Sequence, residues 1–323
     1  MKLSRRSLVA GAIAMPWVSA GARAQEWPSG TIKIIVPFPP GGSIDPIARI
    51  VLPGLQEKLG ATIIVENKPG ASGSVGTSAA AKSPPDGNTW LFVFDTHSVN
   101  PFLMKLNFDT LNDFDTVLLI GTAPNVLAKN PSRPWKSFAD VVAAAKAAPS
   151  TVTYGSIGSG SVGHLTITLL EKQAGCKFVH VPYRGGGPAM NDAIAGHIDM
   201  VVGSAALIVP QTVAKTIVPL IQAGKTRIPS LPDVPTALES GFDNFESYAS
   251  WGVVTPSGTP KPIIQKFASA LAETLREPEI NKRIAESFQV TMVIGDAAQQ
   301  RTFIEQPMAL WGPIIKENGI TLD

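Results

Sequence analysis

The chain has 323 residues, with 27 Lys+Arg against 25 Asp+Glu and a formal net charge of +2. Apolar residues make up 44%, enough for a sizeable core, while charged residues are 16% against about 25% in an average domain. No Lys/Arg cluster is interleaved with aromatics, which excludes a nucleic-acid footprint, and the lone Cys176 excludes an intrachain disulfide framework and a cysteine zinc site.

Residues 1–24 hold Lys2, Arg5, Arg6 and Arg23 and no acid, so the remaining 299 carry 23 basic against 25 acidic residues. The basic excess belongs to the N-terminus. Arg5-Arg6, a mostly apolar run over 8–15 and Ala22-Arg23-Ala24 follow the order of a secretory signal peptide. Ser4-Arg5-Arg6-Ser7-Leu8 also fits a twin-arginine signal; an ordinary secretory signal with two arginines is the other reading. Cleavage near Ala24/Gln25 would leave the mature chain in the periplasm, where ATP and NAD are not supplied. Beyond that segment no stretch approaches the ~20 apolar residues of a membrane span.

The pattern predicts a strand over 31–37, a helix over 46–59, a strand over 61–66, a helix over 74–82 and a strand over 89–94. Strand-like runs at 117–120 and 126–129 follow, then a helix over 138–148, a strand at 152–154 and a helix over 165–174. Further strands fall at 178–182, 198–202, 217–221 and 251–255, and helices at 262–275, 279–287 and 297–317 flank a strand at 290–294. Strand, glycine turn and helix in alternation argue for βαβ units on a parallel sheet. The pattern is coarsely duplicated, with crossovers near 121–126 and 246–256.

Two glycine turns carry the chemistry. In the first, Phe38-Pro39-Pro40-Gly41-Gly42-Ser43-Ile44-Asp45-Pro46, glycines let backbone approach a ligand and a helix start leaves N–H groups unpaired. An anion held there needs no lysine. Asp45 either caps the helix, with Pro46 at its first position, or contacts the ligand. The second turn, residues 155–163, contains Gly158, Gly160 and Gly163 in G-x-G-x-x-G spacing. The export signal, the mid-chain position and the lack of an acid after the next strand oppose a dinucleotide site, although Arg184 could meet a 2′-phosphate. The better reading is a second anion cradle, with Ser156, Ser159 and Ser161 as hydroxyl donors. Three or four charge-assisted donors of roughly 1.5–3 kcal/mol, less ordering costs, reach the ~8 kcal/mol of a micromolar complex.

Other residues carry weaker signals. His97, His164, His180 and His197 show no metal-ligand spacing; His164, just past the second turn, is the one to test. Arg184, before Gly185-Gly186-Gly187, reads as a carboxylate clamp or a salt bridge, and Trp251 as a cleft wall or a packing residue. No G-x-S-x-G elbow is present, and no acid is placed to orient a histidine. No enzyme, metal or cofactor is expected.

Taken together, Ile35-Val36-Pro37-Phe38-Pro39-Pro40-Gly41-Gly42-Ser43, Val65-Glu66-Asn67-Lys68-Pro69-Gly70-Ala71, Asn112-Asp113-Phe114 and Tyr154-Gly155-Ser156-Ile157-Gly158 form one ordered set. His180-Val181-Pro182-Tyr183-Arg184-Gly185 and Pro256-Ser257-Gly258-Thr259-Pro260 complete it. In this order they resemble the Bug-type (tripartite tricarboxylate transporter) substrate-binding proteins, from about residue 30 to the C-terminus. The resemblance implies an α/β, two-lobe periplasmic-binding-protein-like fold, each lobe a mainly parallel sheet flanked by helices. Lobe 1 would comprise 25–122 plus 252–323 and lobe 2 123–251, with the cleft between them. It implies a monomer that delivers a small carboxylate to integral-membrane permease subunits; a sensor-kinase adaptor and an exported hydrolase are the alternatives. Its loops point to Phe38, Gly41, Gly42, Ser43 and Asp45, and to Ser156, Gly158, Ser159, Gly160 and Ser161, as ligand contacts. Two departures add Thr96 and His97, beside an unexpected Asp95, and Ser204, where the family often has an acid and this chain has Gly203-Ser204. The missing acid argues against an α-amino group and for a di- or tricarboxylate or an aromatic acid.

Overall fold

The computed structural model describes residues 27–243 and 245–322; the signal-peptide reading and the Ala24/Gln25 cleavage lie outside them. The first strand, β1 (Ile32–Val36), is almost wholly buried and leads through the first glycine turn into α1 (Ile44–Leu59). Ile44, Ile47, Ala48, Val51, Leu55 and Leu59 recur at helical spacing and form the buried face of α1, which stops at Gly60 in a left-handed conformation. β2 (Ile63–Asn67), α2 (Ser74–Ala81), β3 (Thr89–Val93) and α3 (Thr96–Leu103) complete this unit, and β1 pairs in parallel with both β2 and β3.

The second unit repeats the plan. After α4 (Phe138–Ala147) come β5 (Thr153–Ser156), α5 (Val162–Ala174), β6 (Val179–Pro182), α6 (Gly186–Ala195), β7 (Met200–Ser204), α7 (Ala205–Val213) and β8 (Val218–Gln222). β5 pairs in parallel with β6 and β7. The parallel units thus lie where the strand–turn–helix pattern predicts, and antiparallel strands border both.

One long strand joins them. β4 (Phe114–Lys129) pairs with β9 (Tyr248–Pro256) along Phe114–Pro124 and with β7 and β8 along Asn125–Lys129. The sequence predicts two short strands here, 117–120 and 126–129, with a crossover near 121–126 between them. Gly121 is instead a close-approach site: a Cβ there would lie 2.5 Å from the Thr291 carbonyl of β10 (Thr291–Gly295). From β9 the chain returns as α8 (Lys261–Arg276) and α9 (Pro278–Phe288) and, after β10, ends in α10 (Ala297–Glu317) against the first unit. An apolar cluster from α3 (Val99, Leu103), α5 (Val162, Leu165) and α10 (Trp311, Ile315) packs the two units together.

The sequence pattern left α3, α6 and α7 unpredicted. Each contains a proline (Pro101, Pro188 and Pro210), and α6 opens on glycines. A proline in the first turn of α6 costs no hydrogen bond, because those N–H groups have no intrahelical partner.

The first unit's core is anchored by Trp90, fully buried and stacked on Phe267 at 3.7 Å and 7°. Its indole N–H donates to the Gly87 carbonyl at 2.8 Å. Trp90→Ala should lower unfolding free energy by about 3–5 kcal/mol, read as a fall in urea midpoint; a loss under 1 kcal/mol would show that the stack is not a core anchor.

Candidate functional site

The carboxyl ends of β1, β3, β6 and β7 open on one cleft, enclosing about 680 Å³ with open solvent included. Phe38, Pro39, Pro40, Gly42, Ser43, Ile44, Phe94 and Asp95 line it from the first unit. Ile157, Gly163, Gly185, Gly186, Gly187, Pro188, Val202, Gly203, Ser204 and Leu207 line it from the second, and Asn125 from the strand between. No lysine, arginine or histidine is among them.

Several helices begin at this lining, among them α1 at Ser43 and Ile44, α6 at Gly185 to Pro188, and α7 at Ser204; α3 starts there at Asp95, and α5 reaches it with Gly163 of its first turn. Their first N–H groups lack intrahelical acceptors and carry partial positive charge, so the cleft can hold an anion without a cationic side chain.

The α1 start is held from behind. Trp251, fully buried, donates its indole N–H to Ser43 Oγ at 3.1 Å, leaving the serine hydroxyl hydrogen free to donate elsewhere. Trp251 is therefore a packing residue: it meets Phe94 at 5.4 Å, and Phe94 meets Phe38 edge-on at 5.9 Å. Asp45 neither caps the helix nor lines the cleft. α1 begins two residues earlier with Ser43 at its N-cap, and the Asp45 carboxylate pairs with Arg49 at 3.0 Å and accepts from Asn67 Nδ2 at 2.8 Å. The same Nδ2 donates to the Phe38 carbonyl at 3.0 Å, which ties the first turn down.

Of the residues singled out in the sequence, Phe38, Gly42, Ser43 and Ser204 come together in the cleft. Gly41 lies beside them, exposed and off the lining. Thr96 and His97 are buried within α3 rather than in the cleft; the His97 ring meets Phe114 edge-on, and burial pushes its pKa down to about 4. Arg184 is exposed, forms no ion pair among the described residues and does not line the cleft.

The second glycine turn has a different role from the expected cradle. Only Ile157 and Gly163 of it reach the lining. Ser156 is fully buried and its Oγ lies 2.7 Å from His180 Nε2; Ser161 caps α5 by accepting from the His164 N–H. The Ser159 carbonyl accepts from Ser72 Oγ of the first unit at 3.4 Å, and Gly158 sits beside the same hydroxyl. At Gly160 a Cβ would lie 2.3 Å from Leu103 Cδ1. Small residues here let the two units pack closely, the same property that suggested a ligand cradle.

The geometry is that of a solute receptor, and residues 47–320 match the family described as Tripartite tricarboxylate transporter family receptor. The chain belongs to that family. It is 31% identical to Protein BugT of Bordetella pertussis over 332 residues, covering 100% of both chains. An R. palustris protein solved with adipate shares its fold at a TM-score of 0.86 and 29% identity, covering 92% of this chain and 100% of that one. MatC from Rhodopseudomonas palustris with bound malate gives a TM-score of 0.83 and 26% identity, covering 90% and 100%. This receptor is thus a periplasmic-binding-protein type, and none of its described helices is long and apolar enough to cross a membrane.

The α6 and α7 starts, Phe94 and Asn125 went unpredicted from the sequence, whereas Asp95, unexpected there, does line the cleft. Gly185-Gly186-Gly187-Pro188 could have been found as a helix start after a strand, by the logic applied to the first turn.

Two predictions follow from this geometry. A Cβ on Gly42 meets nothing within 4 Å and projects from a cleft-lining position. Gly42→Val should therefore remove carboxylate binding while leaving the melting temperature within a few degrees; unchanged calorimetric affinity would refute the role of this turn.

The second prediction concerns pH. His164 and His180 stack at 3.9 Å and 7°, and the Gly160 N–H donates to His164 Nδ1 at 3.0 Å. Burial, aided by the Lys177 charge, pushes His164 down to about 4; burial and the facing His164 push His180 down to about 3. Below pH ~6.5 the unfolded chain takes up protons that the folded rings refuse, so their contribution falls as pH drops towards 4. For His164 the loss at pH 4.5 is about 2 kcal/mol. Replacing both histidines by glutamine should shrink the difference in melting temperature between pH 7 and pH 4.5; an undiminished difference would place the acid sensitivity elsewhere.

Proposed function

We propose that this receptor is a non-catalytic binder that holds a small carboxylate between its lobes and presents the closed form to integral-membrane permease subunits. The lobes are 25–122 plus 252–323 and 123–251, and the exported chain acts in the periplasm as a monomer after loss of residues 1–24. The observation that carries this reading is the convergence of helix starts, those of α1, α6 and α7 among them, on a cleft with no cationic side chain among its described lining residues. Carboxylates in two relatives, adipate and malate, support it.

Capture is a population shift: a ligand favours closure only as far as it binds the closed form better, by bridging both lobes. Ser72 with Ser159, and Val99 and Leu103 with Val162 and Leu165, are the contacts that opening must separate. The Ser156–His180 pair does not support a hydrolase. Its serine is fully buried, and no carboxylate bonds that histidine among the described residues.

A thermal-shift screen of small mono-, di- and tricarboxylates against the mature chain tests the reading, followed by calorimetry on the hits. At least one carboxylate should bind at micromolar level; saturable binding of neutral or cationic solutes alone would overturn it.

A further inference from the structure

We propose that Asp95 determines which small carboxylates this receptor accepts, by taking a protonated nitrogen of the ligand on its carboxyl group. The proposal rests on the carboxylate reading above and narrows it.

Asp95 follows β3 at the start of α3 and lines the cleft with 5% of its surface exposed. Its Oδ1 is buried and has no hydrogen-bond partner. None of the ion pairs among the described residues includes it. A buried carboxylate without a cation is strongly unfavourable. Burial accordingly lifts its carboxyl well above the usual carboxylate range, and the Thr96 backbone amide offsets only part of that. The cleft therefore contains an acid whose charged form is disfavoured until a cation meets it.

The rest of the lining decides which group arrives. Among the described lining residues Asp95 is the one that is ionisable: β4 contributes Asn125, and the α6 and α7 starts contribute glycines, Pro188, Ser204 and Leu207. The helix starts supply N–H donors, which suit a ligand carboxylate. Asp95 supplies an acceptor. A neutral carboxyl donates through one oxygen and still leaves the other as an acceptor, so only a donor group satisfies it in both protonation states. A second ligand carboxylate at this point would leave Oδ1 unpaired or force two acids to share one proton. An ammonium group meets the need directly. The absence of an acid at Gly203-Ser204 argued against an amino group in the sequence. The cleft has its acid on the other wall, after β3 instead of β7.

Neighbouring groups leave Asp95 as the one that responds. His97, two residues on, is buried with its pKa pushed down to about 4, and Asp45 on α1 is paired with Arg49. No titratable side chain reaches the lining from β4, α5, α6 or α7.

Calorimetry on the mature chain with matched pairs, succinate against aspartate and glutarate against glutamate, tests this at pH 7. In at least one pair the amino form should bind the natural chain tenfold or more tightly than the plain diacid. Asp95→Asn should reduce that preference below threefold and leave the diacid affinity within threefold. A melting temperature for Asp95→Asn no lower than that of the natural chain at pH 7 confirms folding, since the variant removes an unpaired buried acid. Independently of any variant, titrations in buffers of different ionisation enthalpy should show proton release on binding the amino form. Diacid binding with no amino preference, or an amino preference that survives in Asp95→Asn, would overturn this proposal alone. Diacid binding that weakens in Asp95→Asn and as pH rises would overturn it in favour of a shared proton between two acids. No binding by any member of either pair, with another carboxylate bound in the wider screen, would overturn this proposal and leave the carboxylate reading standing.

Discussion

Backbone amides at the start of a helix have no acceptor within that helix, and they must find one in water, a side chain or a ligand. In this receptor such starts, those of α1, α6 and α7 among them, meet at one cleft that has no cationic side chain among its described lining residues. The sheet exists to hold them there. Because β1, β6 and β7 run in the same sense as the parallel strands they belong to, the helices that follow them all begin at the cleft edge. The side chains behind the starts are then fixed by need: Trp251 against Ser43, and Asn67 bridging Asp45 to the Phe38 carbonyl.

Holding two such units in register requires a connection that is stiff along the sheet yet able to bend. β4 meets that requirement, since it runs unbroken past the point where its pairing partners change near Pro124 and Asn125, and β9 pairs with it up to that point. Asn125 is fixed at that point: its Nδ2 donates to Ser247 Oγ at 2.9 Å, and Ser247 Oγ lies 2.6 Å from Thr166 Oγ1 of α5. A residue that lines the cleft is thereby tied to the crossing strand and to a helix of the second unit. All three residues belong to the proposed lobe 2, so the network fixes the cleft-lining Asn125 to the body of that lobe beside the crossover.

The periodicities made the parallel units legible, because buried strands such as TWLFV and helices such as α1 announce themselves by spacing alone. The first glycine turn was legible for the same reason that it works, as a glycine-rich stretch between a strand and a helix. The second misled because close packing and ligand approach demand the same small residues: Gly160 makes room for Leu103, not for an anion. The α6 start was hidden by Gly and Pro, which read as a loop unless the orphan amides of a first turn are considered. Asp95 could be noticed by type but not interpreted, since its meaning lies in burial and in the absence of a partner. Neither is a property of local sequence.

The charge balance takes on a different meaning against this cleft. Residues 25–323 carry 23 basic and 25 acidic groups, so the body offers no positive field to draw an anion in from a distance. Partial charges at helix starts act over the first turn and fall off beyond it. A carboxylate would therefore gain most of its stabilisation after desolvation, when it is enclosed by both units, and little on first encounter. That order favours a binder in which affinity comes from closure, and it makes the cleft selective for shape and donor placement over charge alone. An acid at Asp95 would fit this scheme, because a buried lone acceptor penalises every ligand that closes the cleft without a donor to meet it.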